Sequence, residues 1–99
     1  MKNASNLSNA IEDSGLLSKS QKNILKYIVS FDLLRGVPAS SIMDYMQITK
    51  QAVNFSLKEL VKRGFVDRTK DKVFIYTVNQ KKIDELLEDY NKKMELKLN

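Results

Sequence analysis

Neither cysteine nor histidine occurs among the 99 residues of this chain. Their absence removes disulfides, thiolate metal sites, imidazole bases and every Cys/His or Ser/His nucleophile system, leaving only carboxylates and lysines for catalysis. An enzyme is therefore not expected, and no catalytic residue, metal ligand or cofactor is assigned. No apolar run approaches the length that crosses a bilayer, and the opening Met1-Lys-Asn-Ala-Ser-Asn6 has no apolar segment of the kind an export signal carries. A membrane partner is thus not expected, and the expected location is cytoplasmic. No internal repeat or low-complexity tract is present. Proline occurs once and glycine three times. Pro38, Gly36 and Gly64 all fall where one element is expected to give way to the next.

What is present is a globular composition, 42% hydrophobic and 29% charged, in a chain long enough for one domain with one modest core. The net charge of +5 is unevenly placed. Residues 1–17 carry a slight negative excess and residues 79–99 are balanced, whereas residues 18–78 hold eleven Lys and Arg against five acids. All the positive excess lies in the middle segment, as expected if that segment faces a polyanion; a merely solvated basic surface is the plainer alternative.

Residues 1–10 are rich in Asn and Ser and read as irregular, with Ile11, Leu16 and Leu17 as a short helical lead-in. Ser18-Lys-Ser-Gln21 fits a capping box, with Leu16 or Leu17 as its staple, and Ile24, Leu25, Ile28, Phe31 and Leu34 follow at helical spacing. This first helix is expected to end near Arg35-Gly36. Val37-Pro38 reads as a short extended piece, because a residue before proline is pushed out of the helical region. Ser40 or Ser41 is expected to cap a second helix, Asp44 completing a Ser-x-x-Asp box and Ile42, Met43 and Met46 facing inward. After a very short connection at Gln47-Ile48 comes Thr49-Lys-Gln-Ala-Val-Asn-Phe-Ser-Leu-Lys-Glu-Leu-Val-Lys-Arg-Gly-Phe-Val66. Thr49 is a helix cap, Val53, Leu57, Leu60 and Val61 share one face, and Gly64 occupies the position that ends a helix. The opposite face carries Lys50, Gln51, Asn54, Phe55, Lys58 and Lys62.

Beyond Gly64 the period changes to two. Phe65–Arg68 and Val73–Val78 read as strands joined by the polar turn Thr69-Lys-Asp-Lys72, although apolar residues on both faces of the second strand leave its register open. Asn79 is expected to cap a last helix with Ile83, Leu86, Leu87, Tyr90 and Met94 on one side.

The segment from Ile42 to Asn54 followed by Leu57-Lys-Glu-Leu-Val-Lys-Arg-Gly-Phe-Val66 resembles the helix-turn-helix of MarR-type and related bacterial regulators, and the likeness spans about residues 18–82. It implies an α+β winged helix-turn-helix fold: a three-helix core, a two-stranded β-wing and a C-terminal helix. The chain departs from the family pattern at Gln47, where glycine is frequent, and in its shortness, which leaves no ligand-binding domain. That shortness and the Asn/Lys-rich composition are also similar to the TcpK-type relaxosome accessory proteins of conjugative plasmids, which implies a relaxase or another plasmid-transfer protein as partner.

The expected function is sequence-specific binding of double-stranded DNA by a homodimer. Lys50, Gln51 and Asn54 sit where a recognition helix reaches base edges, with amides suited to adenine, and Lys58 is placed for phosphate. Phe55 would meet a thymine methyl or sugar, or pack against the hairpin. Arg68, Lys70 and Lys72, around Asp71, form a basic hairpin tip suited to a narrow minor groove. Lys19 and Lys22, with the helix starts at Ser40, Ser41 and Thr49, are phosphate candidates. In the last helix Ile83, Leu87, Tyr90 and Met94 are close to heptad spacing and either fold back on the core or pair with a second copy. The domains expected are a flexible lead-in over 1–17, a DNA-binding domain over 18–78 and a dimerising helix over 79–99. The alternatives are an RNA-binding winged helix and one used purely for protein interaction.

Overall fold

Caps at Ser18, Pro38, Thr49 and Asn79 and left-handed turns at Gly36, Gln47 and Gly64 divide the chain into short elements. The computed structural model describes the backbone of residues 2–31 and 35–98 and the side chains of residues 6–31 and 35–97. Within them lie α1 (Lys2–Asp13), α2 (Lys19–Val29), β1 (Val37–Pro38), α3 (Ala39–Met46), α4 (Lys50–Lys62), β2 (Val66–Lys70), β3 (Phe74–Val78) and α5 (Gln80–Leu98). The fold is α+β, with an antiparallel three-stranded sheet of order β1-β3-β2. This order is compatible with the expected winged-helix arrangement. Among the described residues no helix is long and apolar enough to cross a membrane.

The segment expected to be irregular at the N-terminus is instead helix α1. Asn and Ser lower helix propensity, but Leu7, Ala10 and Ile11 fall on one stripe, and Ile11 is wholly buried against the core, so tertiary packing outweighs propensity. Polar ties secure its end. The Lys22 Nζ donates to the Glu12 carbonyl at 2.6 Å, Lys26 pairs with the Glu12 carboxylate, and Lys93 of α5 pairs with Asp13 at 2.9 Å. The hydrogen bond from Lys26 holds the Glu12 carboxyl below the usual glutamate range, and that from Lys93 does the same for Asp13, which in return raises Lys93. The Asp13–Lys93 tie therefore helps the fold above the ordinary aspartate range. It is lost as pH falls through the lowered Asp13 value, or as pH rises through the raised Lys93 value.

The capping box of α2 is present: Gln21 N–H donates to Ser18 Oγ at 3.2 Å and Ser18 N–H to Gln21 Oε1 at 3.1 Å. Leu17 is buried while Leu16 is 60% exposed. The helix stops at Val29, earlier than expected, because Ser30 Oγ bonds back to the Tyr27 carbonyl at 2.7 Å and competes with helical continuation. Phe31 is consequently exposed, and Leu34 lies outside the described residues.

Neither Ser40 nor Ser41 caps α3. Pro38 is the N-cap residue, its extended backbone having already turned the chain, and both serines lie inside the first turn. Ile42 is fully buried, with Met43 and Met46 packed at the edge of the core as expected. At the glycine-like position Gln47 adopts the left-handed conformation, φ 58° and ψ 44°. Its N–H reaches the Met43 carbonyl at 2.8 Å and its side-chain amide donates to the Asp44 carbonyl at 2.7 Å, closing the end of α3 from both sides.

The short extended piece expected at Val37-Pro38 is β1, and it joins the two strands of the hairpin as the third strand of the sheet. β1 pairs with β3 through Val37 opposite Tyr76 and Pro38 opposite Ile75. Gly36, at φ 73°, leads into it with Thr77 Cγ2, the Tyr76 carbonyl and Ile75 Cγ2 all 2.5–2.8 Å from where a Cβ would stand. Left-handed backbone and a clash with a paired strand combine, so Gly36→Ala is expected to cost roughly 2–4 kcal/mol. Urea unfolding measures this, and a loss under about 0.5 kcal/mol would mean that the β1–β3 approach is not tight.

Candidate nucleic-acid interface

Helix α4 supplies one wall of the site. Thr49 Oγ1 accepts the Ala52 N–H at 3.1 Å and fixes the first turn. Val53, Leu57 and Leu60 are buried at 1% or less, and Ser56 meets Ser20 of α2 at 3.3 Å between their hydroxyls. With that face committed, the helical period turns Lys50, Gln51, Asn54, Phe55, Lys58 and Lys62 outward, and all six are exposed. Phe55, 66% exposed, is not used for packing against the hairpin. A Schellman motif closes the helix: Gly64 N–H donates to the Val61 carbonyl and Phe65 N–H to the Leu60 carbonyl, each at 3.0 Å, with Gly64 at φ 85°. This turn sends the chain directly into the hairpin.

The hairpin supplies the other wall. β2 runs on to Lys70, two residues beyond the strand expected, so that Thr69 and Lys70 belong to the ladder and Val73 to the turn, where its carbonyl accepts the Asp71 N–H at 3.0 Å. The register pairs Val66 with Val78, Arg68 with Tyr76 and Lys70 with Phe74. Those six side chains share one face, buried at the root and cationic toward the tip. Between this face and α4 lies a groove of about 640 Å³, lined by Asn54, Lys58, Val61 and Lys62 on the helix side and by Arg68, Phe74 and Tyr76 on the sheet side. The Arg68 guanidinium lies 4.4 Å and the Lys70 ammonium 5.1 Å from the centroid of the Phe74 ring.

Asn54, Lys58 and Arg68 of the expected set thus line the groove, with Lys70 beside it on Phe74. Lys50, Gln51 and Phe55 extend the same exposed side of α4, and Lys72 is exposed at the hairpin turn. Other candidates make contacts outside the groove. Lys22 donates to the Glu12 carbonyl of α1; the Thr49 hydroxyl accepts from its own helix and keeps its proton for donation; the Ser41 carbonyl, not its hydroxyl, takes the Tyr27 hydroxyl at 3.3 Å. Lys19 and Ser40 are exposed but do not line the groove. Lys62, one turn beyond Lys58, and Phe74 join the site without having been assigned to it from sequence. Repetition at i+4 signals the lysine, whereas the phenylalanine needs the register.

Among the described residues none of Lys50, Lys58, Lys62, Arg68, Lys70 and Lys72 forms an ion pair with a carboxylate. The pairs that are described both fasten α1. Arg63, by contrast, donates to the Leu16 carbonyl and ties the end of α4 to the α1–α2 connection. Away from the groove, Tyr27 stacks on the exposed Tyr45 with centroids 4.5 Å apart, and burial, more than the neighbouring Tyr45 and Asp44, raises its hydroxyl above the usual tyrosine value.

The C-terminal stripe divides. Ile83 is buried in the chain's own core, and Tyr90 and Met94 lie over α1 beside Glu12 and Asp13, with Leu87 half-buried. Asn79 anchors this helix as expected, its Oδ1 accepting the Lys82 N–H at 3.0 Å. Its Nδ2 also reaches the Asp67 carboxylate at 3.2 Å, which ties α5 to β2.

No protein-family model and no curated protein matches the sequence. Among solved structures the chain is similar to the ST1889 protein of the thermoacidophilic archaeon Sulfolobus tokodaii, with a TM-score of 0.61 and 22% identity over 99% of this chain and 96% of that one. At this identity the likeness is one of fold.

Proposed function

We propose that this chain is a winged helix-turn-helix protein that binds double-stranded DNA through α4 and the β2–β3 hairpin. The observation that carries the reading is the groove whose walls bring Lys58, Lys62 and Arg68 together with no carboxylate among the described residues paired to any of them. Unneutralised cations on two elements at the edge of an exposed amide-bearing helix suit a phosphate strand running between a major-groove helix and a wing. Gln51 and Asn54 supply the base-reading amides. A homodimer, paired through α5 and the α1 helix packed on it, would match two half-sites. The resemblance in the sequence supports a role as a transcriptional regulator or as an origin-of-transfer accessory acting with a relaxase. A relaxase gene beside this one would favour the second role, and a divergent promoter the first.

Fluorescence anisotropy on matched duplex, single-stranded DNA and RNA probes tests the proposal. Tighter binding to duplex, with affinity falling steeply as salt rises, is the expected result. The exposed rings of Phe55 and Phe74, the latter beside Arg68 and Lys70, are the feature that would serve a single strand, where bases stack on aromatic faces. Equal or stronger binding to single strands or RNA would therefore replace the duplex reading.

A further inference from the structure

Phe74 is a large apolar side chain in a place where the core does not require one. It is 41% exposed, whereas Tyr76 and Val78, further along the same face of β3, are 7% and 8% exposed. What its ring does touch is a pair of cations. Lys70 is its direct partner in the antiparallel ladder and Arg68 its diagonal neighbour, and both charged groups lie within cation–π distance of the same ring.

This arrangement has a physical consequence. Arginine and lysine are long and rotamer-rich, and on an exposed strand each would sample many orientations. Two like charges two residues apart on one face would also splay away from each other. The negative face of an aromatic ring offers both a common attraction, so it narrows their orientations before any ligand arrives, and the ordering that binding must impose is correspondingly smaller. Arg68 and Phe74 both line the groove that faces Lys58 and Lys62 of α4, so the restrained guanidinium is held at the groove rather than in open solvent.

We propose that Phe74 is a positioning residue for anion recognition: its ring holds Arg68 and Lys70 against the groove so that both meet the phosphates of one DNA strand. The inference rests on the duplex-binding reading above. It adds that the wing acts through an aromatic clamp on its cations and not through the ring's own contact with DNA.

Two measurements on the 99-residue chain test it. The first needs no DNA. In the free protein the Arg68 side-chain methylene signals should be displaced upfield by the Phe74 ring current, and Phe74→Leu should abolish the displacement while Phe74→Tyr keeps it. Arg68 signals at ordinary positions in the wild-type chain would overturn the proposal. The second is anisotropy on a mixed-sequence duplex. Phe74→Leu should weaken binding about fivefold to tenfold, as expected for two exposed cation–π contacts, and Phe74→Tyr should restore it. In an Arg68→Ala, Lys70→Ala background the same Phe74→Leu change should have no effect. If the loss persists in that background, the ring touches the nucleic acid directly and the clamp is wrong. If the wild-type chain binds no duplex at all, the parent reading fails, whatever the ring current shows.

Discussion

Replacing Lys58, Lys62 and Arg68 together by alanine is expected to weaken duplex binding roughly 500-fold at about 0.1 M salt and to reduce the slope of log K against log salt by about 2.7. The figure follows from counterion release: each phosphate neutralised contributes about 0.9 to the slope, and at about 0.1 M each also contributes about 0.9 decades of affinity. All three side chains are exposed, and among the described residues none is paired with a carboxylate, so the fold should survive their removal, as circular dichroism can check. The loss should be the same for every sequence. Gln51→Ala and Asn54→Ala should behave differently, each relaxing the preference at particular base pairs by about 1–3 kcal/mol with little change in slope. A binding-site selection on each variant separates the two effects. A slope change below about 1 for the triple variant would mean that the groove does not carry the phosphates. A changed sequence preference on removing Arg68, with none on removing Asn54, would make the wing the principal reader.

The two walls of that groove were unequally legible in the sequence. Helix α4 can be read outright, because a threonine cap, three buried positions at helical spacing and an exit glycine all agree, and the exposed face follows from the buried one. The hairpin cannot be read in the same way. Phe74, Ile75, Tyr76 and Val78 make both faces of β3 apolar, and a one-residue slip exchanges the faces, so which cations look toward α4 depends on a register that only packing fixes. Val37-Pro38 could be read as extended, but its pairing with β3 could not, since two residues, one of them proline, show no alternation. Composition misled at the N-terminus, where one buried isoleucine and three polar ties hold a helix that Asn and Ser alone would not favour. At the end of α2, periodicity ran past a serine whose side chain turned back on the helix. The resemblance to a helix-turn-helix located the tight turn but not how a glutamine fills it; the left-handed Gln47 with its amide on Asp44 is a local solution.

Phe65→Ala should be among the most damaging single substitutions, costing about 3–5 kcal/mol of stability, a large share of the roughly 5–15 kcal/mol typical of a domain. Phe65 is 1% exposed and the bulkiest of the fully buried side chains. The cost of such a cavity depends on how far the surroundings can collapse into it, and here the backbone is held on both sides. The Phe65 N–H is committed to the Leu60 carbonyl at 3.0 Å and its carbonyl to the Asn79 N–H at 2.9 Å, which fixes the residue between the end of α4, the start of β2 and the cap of α5. Little relaxation is available, so the upper half of the range is the better expectation. Urea unfolding should show the midpoint falling with an unchanged m-value. Phe65→Leu keeps most of the volume and should cost far less, leaving the groove between α4 and the hairpin intact. Measuring that variant for both stability and duplex binding separates two roles. A leucine variant that is folded and binds normally identifies Phe65 as a packing residue. One that is folded but has lost duplex binding would show that the ring itself sets the angle between α4 and the hairpin.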